Sequence, residues 1–151
     1  MSEVTRVIYP PVWMAFGIIA VFACNEFFPG PRFTGLASQV IGGATIVAGL
    51  VLLVFAGGLF KKADTDLIPF KDVRALVTEG VYTFTRNPMY LGMALVQLGC
   101  AVTVGATTAL LVAPIFMVII ELRFIRPEEE MLRRLFPEEF PAYCQRVRRW
   151  I

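Results

Sequence analysis

Histidine is absent from this chain of 151 residues. The absence excludes an imidazole general base, a histidine-ligated metal and a Ser-His or Cys-His nucleophile pair. There is no CxxC pair either, and Cys24, Cys100 and Cys144 are too scattered to suggest a disulfide or a zinc site. We therefore expect chemistry that uses neither a metal nor an imidazole.

Two further absences narrow the function. No GxGxxG follows a predicted strand, which excludes a Rossmann-type nucleotide domain. Lys and Arg total 14 against 12 Asp and Glu, and a net charge of +2 offers no electrostatic case for nucleic acid as a partner.

Charge is also missing from long stretches of the chain. Hydrophobic residues make up 57% of the sequence, whereas soluble proteins have about 45–50%. Residues 7–25 and 33–60 carry no charge, and each run is about long enough to span a membrane. A cleaved signal peptide is the competing interpretation of the first run, but Arg6 alone stands in its basic region. We expect an integral membrane protein with helices at about 8–28 and 36–60.

The next uncharged stretch, 87–120, is too short for two full-length spans and a generous loop. Two helices, at about 88–103 and 107–124, must therefore form a tight hairpin that turns near Gly105. Small residues in the second span, such as Gly42, Gly43 and Gly49, would permit close helix contact. The predicted fold class is all-α: a single membrane domain, 1–151, with about four transmembrane helices.

The positive charges predict the orientation. Arg32 is the only Lys or Arg in the first and third loops, and the other thirteen lie at the N-terminus, in loop 61–87, or near and beyond the end of the fourth span. The positive-inside rule then places loop 61–87 and both termini in the cytosol. In the tail, 125–151, apolar residues such as Leu132 and Tyr143 recur at helical spacing, which is typical of an interfacial helix. We expect residence in the inner membrane of a prokaryotic cell.

A cluster of chemically distinctive residues begins the hairpin. It contains Gly80, Arg86, Asn87, Pro88, Tyr90 and Gly92. Arg and Tyr at a membrane edge can be simple interfacial anchors. Interfacial anchors alone would not need the tight backbone turns that the glycines and the Asn-Pro step indicate.

Acidic residues end the hairpin, and the hairpin brings the two clusters together. Arg86 offers a two-pronged grip on a carboxylate or phosphate, and Glu128 or Glu129 offers counter-charge for an ammonium or a ribose hydroxyl. Tyr82 and Tyr90 offer aromatic faces to a cation or a purine. A structural alternative also explains the glutamates, because acids that follow a proline favour the start of a helix.

The order of these residues resembles a known family. Residues 76–92 read LVTEGVYTFTRNPMYLG, and after one hairpin residues 128–136 read EEEMLRRLF. Together with the closing residues 143–150, this two-part pattern resembles the isoprenylcysteine carboxyl methyltransferase family, whose general plan phospholipid methyltransferases share. The likeness covers the chain from Asp64 onward.

The resemblance implies a membrane enzyme that binds S-adenosylmethionine without a Rossmann domain, with a lipophilic small molecule or lipid-modified substrate as its partner. By position, the implied cofactor contacts are Leu76, Val77, Tyr82, Arg86, Asn87, Pro88, Met89, Tyr90, Glu128 and Glu129. Arg86 and Glu129 are the residues to which we assign catalysis. The family often has His where this chain has Asn87, and Gly and Tyr where it has Pro137 and Phe140. The first departure weakens any claim of a His-dependent role.

The proton chemistry of methyl transfer distinguishes the possible acceptors. Methyl transfer from a sulfonium needs proximity and a dry site more than acid-base groups. A carboxylate is already ionised at neutral pH, whereas an ammonium must first lose a proton to Glu121, Glu128 or Glu129. The sequence therefore favours an isoprenylcysteine-like carboxylate over a phospholipid amine. The remaining hypotheses are a sterol-type reductase that uses NADPH and a small transporter, against which the uncharged span centres argue.

Overall fold

The computed structural model describes residues 9–65 and 73–151, and within them helices are joined by short loops, with one isolated bridge between Arg32 and Ala106 and no strand. The α-helices are α1 (Pro10–Phe27), α2 (Leu36–Lys62), α3 (Pro88–Val104), α4 (Val112–Ile120), α5 (Arg126–Leu135) and α6 (Glu139–Arg146). Short 3-10 helices cover Gly80–Thr83 and Thr107–Leu111, and a π-helical turn covers Glu121–Ile125. The predicted all-α fold is confirmed.

Three helices in the described part of the chain are long and apolar enough to cross a membrane: Pro10–Phe27, Leu36–Lys62 and Thr107–Leu135. The fourth apolar helix, α3, is shorter, with 17 residues. At about 1.5 Å per residue it is roughly 26 Å long, slightly less than the bilayer hydrocarbon. Large apolar side chains such as Ile19, Val54 and Ile115 point outward and are exposed. These faces suit lipid tails, and the protein is an integral membrane protein.

Glycines allow α2 and α3 to pack backbone against backbone. A Cβ at Gly49 would lie 2.7 Å from the carbonyl oxygen of Gly92, and a Cβ at Gly99 would lie 2.7 Å from that of Gly42. The predicted close contact is confirmed at Gly42 and Gly49, whereas Gly43 faces open space. Gly92 does not form the sharp backbone that the sequence suggested, because it lies within α3 and serves this helix contact instead.

The hairpin between α3 and the last long helix turns at Gly105, close to the predicted position. Gly105 adopts a left-handed conformation with φ of 68°, which only glycine adopts without strain, and it ends α3. The loop before α2 braces this turn, since the amide of Phe33 donates to the carbonyl of Gly105 at 3.0 Å. The turn of the hairpin is therefore held against the loop that joins the first two helices.

The last long helix does not end near 124, where the sequence placed the end of the fourth span. It continues without a break from Thr107 to Leu135. Pro127 cannot donate a backbone hydrogen bond, and its ring crowds the preceding turn. The π turn over Glu121–Ile125 precedes this proline, so the helix widens there rather than stopping. Its final part, 121–135, contains eight charged residues and extends the helix beyond its apolar part.

The C-terminal tail folds back against the membrane end of the protein. Phe140 and Tyr143 of α6 are only 1% and 3% exposed, and they pack with Tyr82 and Ala56. The hydroxyl of Tyr143 donates to the backbone oxygen of Tyr82 at 2.7 Å. Much of the apolar face that predicted an interfacial helix is therefore buried inside the protein.

Candidate active site

A cleft opens where the end of α2, the segment after residue 73, the start of α3, α5 and α6 meet. It contains about 850 Å³ of empty space, a figure that includes its open mouth. The lining residues are Phe60, Val73, Ala75, Leu76, Val77, Tyr82, Arg86, Asn87, Met89, Tyr90, Ile125, Glu128, Glu129, Met131, Leu132, Phe140 and Tyr143. Most of the wall is apolar, and the few polar groups converge from two sides.

Nine of the ten residues predicted to contact a cofactor line this cleft, and Pro88 does not. Pro88 is the buried first residue of α3, where its fixed φ suits the start of a helix and its missing N–H is not needed. Its place in the motif is therefore explained by backbone geometry. The helical hairpin does bring the two predicted clusters to one place.

Arg86 is held at the edge of the cleft with its side chain 12% exposed. One guanidinium nitrogen, Nη2, lies 3.4 Å from Oε1 of Glu129, and Nη1 contacts the sulfur of Cys144. Its buried Nε has no hydrogen-bond partner among the described residues. The side chain is thus fixed in direction and still has an unused donor.

Asn87 is oriented by the C-terminal end of the chain. Its side-chain Nδ2 donates to the backbone oxygen of Arg149 at 2.8 Å, and its backbone amide donates to Oγ1 of Thr85 at 3.1 Å. Since Nδ2 is engaged, Oδ1 is the side-chain atom that can accept a hydrogen bond from a ligand.

Glu128 faces the cleft and is paired with a tyrosine rather than with a cation. The hydroxyl of Tyr90 donates to Oε1 of Glu128 at 2.6 Å. Among the described residues no Lys or Arg forms a salt bridge with this carboxylate. Burial raises the pKa of Glu128 to about 7, with a further rise from neighbouring Glu129, while the Tyr90 hydrogen bond opposes the shift. Glu128 can therefore change its charge near neutral pH.

Glu129 has the opposite environment, although it is the next residue. It is 5% exposed, and Arg149 grips both of its oxygens, with Nε 3.0 Å from Oε1 and Nη2 2.8 Å from Oε2. Arg86 at 3.4 Å and Arg133 at 3.8 Å add further positive charge. The carboxylate of Glu129 is thus neutralised by the protein itself, whereas that of Glu128 is available to a ligand.

Several residues of the site were missed by sequence reasoning. Arg149 and Trp150 do not line the cleft, yet both donate to Glu121, at 2.9 Å and 3.0 Å. Phe140 and Tyr143 do line it. The closing residues 143–150 formed part of the family resemblance, and the apolar spacing that includes Tyr143 was interpreted as an interfacial pattern. No individual role was predicted for Arg149.

The geometry suits a polar, charged ligand with a flat apolar part. Burial raises the pKa of both Tyr82 and Tyr143, so their rings stay neutral and offer aromatic surface. Within residues 9–65 and 73–151, no group of three or more acidic or cysteine side chains is placed to hold a metal ion. Among the described residues, the cleft is lined by one arginine, Arg86, by one acid without a cation partner, Glu128, and by a largely apolar wall.

Comparison with known proteins gives the family. Residues 37–139 match the phospholipid methyltransferase family, which is about two thirds of the chain. The chain belongs to this family. The predicted relationship is therefore confirmed. Helix α1 and the residues after 139, which include Arg149, lie outside the matched region.

A solved structure has a similar fold along the whole chain. It is that of a eukaryotic intramembrane Ras methyltransferase, isoprenylcysteine carboxyl methyltransferase, determined without a monobody. The TM-score is 0.57 at 20% sequence identity, and the match covers 100% of this chain and 53% of that chain. This chain therefore spans about half the length of that relative, and the likeness shows the fold alone. No curated protein sequence matches the chain.

Proposed function

We propose that this protein is a membrane methyltransferase that uses S-adenosylmethionine to methylate a lipophilic acceptor at the cytosolic face of the membrane. The observation that carries the proposal is the cleft in which Arg86 and the unpaired Glu128 face a common space. The cytosolic location rests on the distribution of Lys and Arg along the sequence.

The residues present fit this methyl donor. The donor carries a carboxylate, which suits the positive charge of Arg86 at the edge of the cleft, and cationic groups, which suit the carboxylate of Glu128. Its adenine suits the apolar and aromatic wall, where Phe60 and Tyr82 pack with ring centroids 5.5 Å apart. When bound, the donor supplies an activated methyl group on a sulfonium. The protein binds the donor, orients it toward the acceptor and excludes water from the site.

For the acceptor, the geometry favours a lipid amine. Among the described residues Arg86 is the only Lys or Arg that lines the cleft, and it already contacts Glu129, so little positive charge remains for an acceptor carboxylate. Glu128, with a pKa raised to about 7 by burial, can take the proton that an ammonium must lose before it attacks a methyl group. Membership of the phospholipid methyltransferase family supports the same choice.

An isoprenylcysteine-like carboxylate remains the second candidate. Two observations favour it: the chain has no histidine to act as a base, and its fold resembles that of isoprenylcysteine carboxyl methyltransferase. A carboxylate acceptor would need no proton acceptor, and Glu128 would then serve the donor alone.

The test uses the full chain purified in detergent. Titration calorimetry should detect binding of S-adenosylmethionine and of its demethylated product, and the proposal fails if neither binds. Preferential binding of NADPH would instead indicate a reductase of the sterol type. Transfer of radiolabelled methyl groups to phosphatidylethanolamine in vesicles, compared with transfer to prenylcysteine analogues, then separates the two acceptor classes.

A further inference from the structure

We propose that Arg149 is a positioning residue that neutralises Glu129 and thereby leaves Arg86 free to hold the methyl donor. The inference rests on the proposed function. Arg149 does not line the cleft, so its effect on the donor must act through other residues.

The side chain of Arg149 connects two acids on the last long helix. Its Nε and Nη2 form paired hydrogen bonds with Glu129, at 3.0 Å and 2.8 Å, and its Nη1 reaches Oε1 of Glu121 at 2.9 Å. The planar guanidinium matches a carboxylate in this two-pronged way, which a lysine ammonium cannot do. Trp150 donates to the other oxygen of Glu121 at 3.0 Å. The C-terminal end is thus locked onto the start of the charged helical segment.

The backbone of the same segment holds the other half of the site. The oxygen of Arg149 accepts hydrogen bonds from Asn87 at 2.8 Å and from Thr85 at 3.2 Å. The oxygen of Arg148 accepts one from the amide of Arg86 at 2.9 Å. Arg149 is therefore bonded both to the motif that starts α3 and to two acids, Glu121 before α5 and Glu129 within it.

Charge balance explains why this matters for ligand binding. Glu129 is nearly buried, and a buried carboxylate needs a cation close by. Arg149 supplies that cation at 2.8 Å, while Arg86 stays farther away at 3.4 Å with its Nε unused. Without the Arg149 side chain, Arg86 is the most deeply buried cation left beside Glu129. We expect it to move toward Glu129, which weakens its grip on the carboxylate of the donor.

The decisive variant is Arg149→Gln. It removes the positive charge and the paired hydrogen-bond donors of the guanidinium but keeps the backbone oxygen to which Asn87 and Thr85 donate. We expect affinity for S-adenosylmethionine and S-adenosylhomocysteine to fall on the order of tenfold, as for other residues that orient a ligand-binding group. The KM for the acceptor should stay unchanged. Arg146→Gln is the matched control, because Arg146 is exposed on the same tail and should leave donor affinity as it is.

A second variant distinguishes positioning from simple anchoring of the tail. In Glu129→Gln with Arg149→Gln, no buried carboxylate remains to attract Arg86, so donor affinity should recover relative to Arg149→Gln alone. Arg149→Lys should bind the donor with intermediate affinity, since it keeps the charge but loses the paired hydrogen bonds. If Arg149→Gln does not fold, the Lys and double variants carry the same test.

The outcomes separate this inference from the proposed function. If the wild-type chain binds no donor by calorimetry, the proposed function fails. If the wild type binds the donor and Arg149→Gln or Arg149→Lys binds it equally well, only the positioning role of Arg149 is overturned. The positioning role would also be overturned if the losses of donor affinity caused by Arg149→Gln and by Glu129→Gln simply added in the double variant.

Discussion

Two regions of α3 bury polar groups in different ways. Near its first turn, Tyr90 is hydrogen-bonded to Glu128, and Asn87 just before the helix is hydrogen-bonded to Arg149. In the middle of the same helix Gln97 is 0% exposed, and neither atom of its amide has a partner among the described residues. Gly17 of α1 leaves the space that Gln97 occupies, since a Cβ there would lie 2.2 Å from Oε1 of Gln97.

The difference separates polar groups that act on a ligand from a polar group that the fold only accommodates. An unpaired buried amide costs stability, whereas a bonded network fixes the direction of each member. The cleft end of α3 should therefore control binding and the middle of α3 should control stability. The following changes test that division, from the largest expected effect to the smallest.

Arg86→Ala should weaken binding of S-adenosylmethionine about 100-fold, because a charged hydrogen bond to the donor is worth up to about 3 kcal/mol. Calorimetry on the detergent-purified variant measures this effect. Arg134→Ala is a suitable control, since Arg134 is exposed and pairs only with Glu130 in the described structure. Equal donor affinity in Arg86→Ala and the wild type would remove Arg86 from the proposed site.

Glu128→Gln and Glu129→Gln should separate ligand binding from stability. Glu128→Gln should lower methyl transfer by at least about tenfold with little change in melting temperature, because Glu128 has no cation partner in the described structure to lose. Glu129→Gln should lower the free energy of unfolding by about 2 kcal/mol, because it leaves Arg149 and Arg86 without their carboxylate. If both variants lost methyl transfer and stability to the same extent, the division of roles between the two acids would be contradicted.

Donor affinity should depend on pH through Glu128. The pKa of this carboxyl is raised by burial to about 7, so Glu128 loses its negative charge as the pH falls below that value. Binding of a cationic donor should weaken over the same range, and Glu128→Gln should remove the dependence. Stability should change in the opposite direction: protonated Glu128 suits the folded state, so its contribution is lost as the pH rises through 7. Calorimetry and thermal unfolding from pH ~5.5 to ~8.5 test both trends.

Gln97→Met should have the smallest effect and should not touch the donor. It replaces an unpaired amide by an apolar side chain of similar length, and we expect a gain of about 1 kcal/mol in the free energy of unfolding. Thermal unfolding in detergent measures the gain, and Gly17→Ala should instead destabilise the protein by crowding Gln97. A change in donor affinity in Gln97→Met would show that the two regions of α3 are coupled.

Local chemistry made part of the site predictable. The guanidinium of Arg86, the hydroxyl of Tyr90 and the carboxyl of Glu128 were recognisable because each is a strong interacting group beside a membrane boundary. The hairpin turn at Gly105 was predictable because a glycine between two apolar helices is typical of a helix end. The role predicted for Pro88 stays a prediction, because a motif position does not distinguish a helix start from a ligand contact.

Other parts depended on contacts distant in sequence. The end of the fourth span near 124 stays a prediction, whereas the continuation of the helix through Pro127 depends on the π turn over Glu121–Ile125. The role of Arg149 was not predicted, because its partners Asn87 and Glu129 lie 62 and 20 residues away. The local pattern of apolar and charged residues predicts neither the continuous helix through Pro127 nor the role of Arg149.

The sequence by itself determined that this is an all-helical membrane protein with a polar cluster at each end of a short hairpin. Uncharged runs and their lengths suffice for that, because each helix satisfies its own backbone inside a membrane. Only the tertiary structure decided which of two adjacent acids faces the cleft. Neighbouring residues on a helix point about 100° apart, so Glu128 meets Tyr90 while Glu129 meets Arg149, and the rotation of α5 sets that choice.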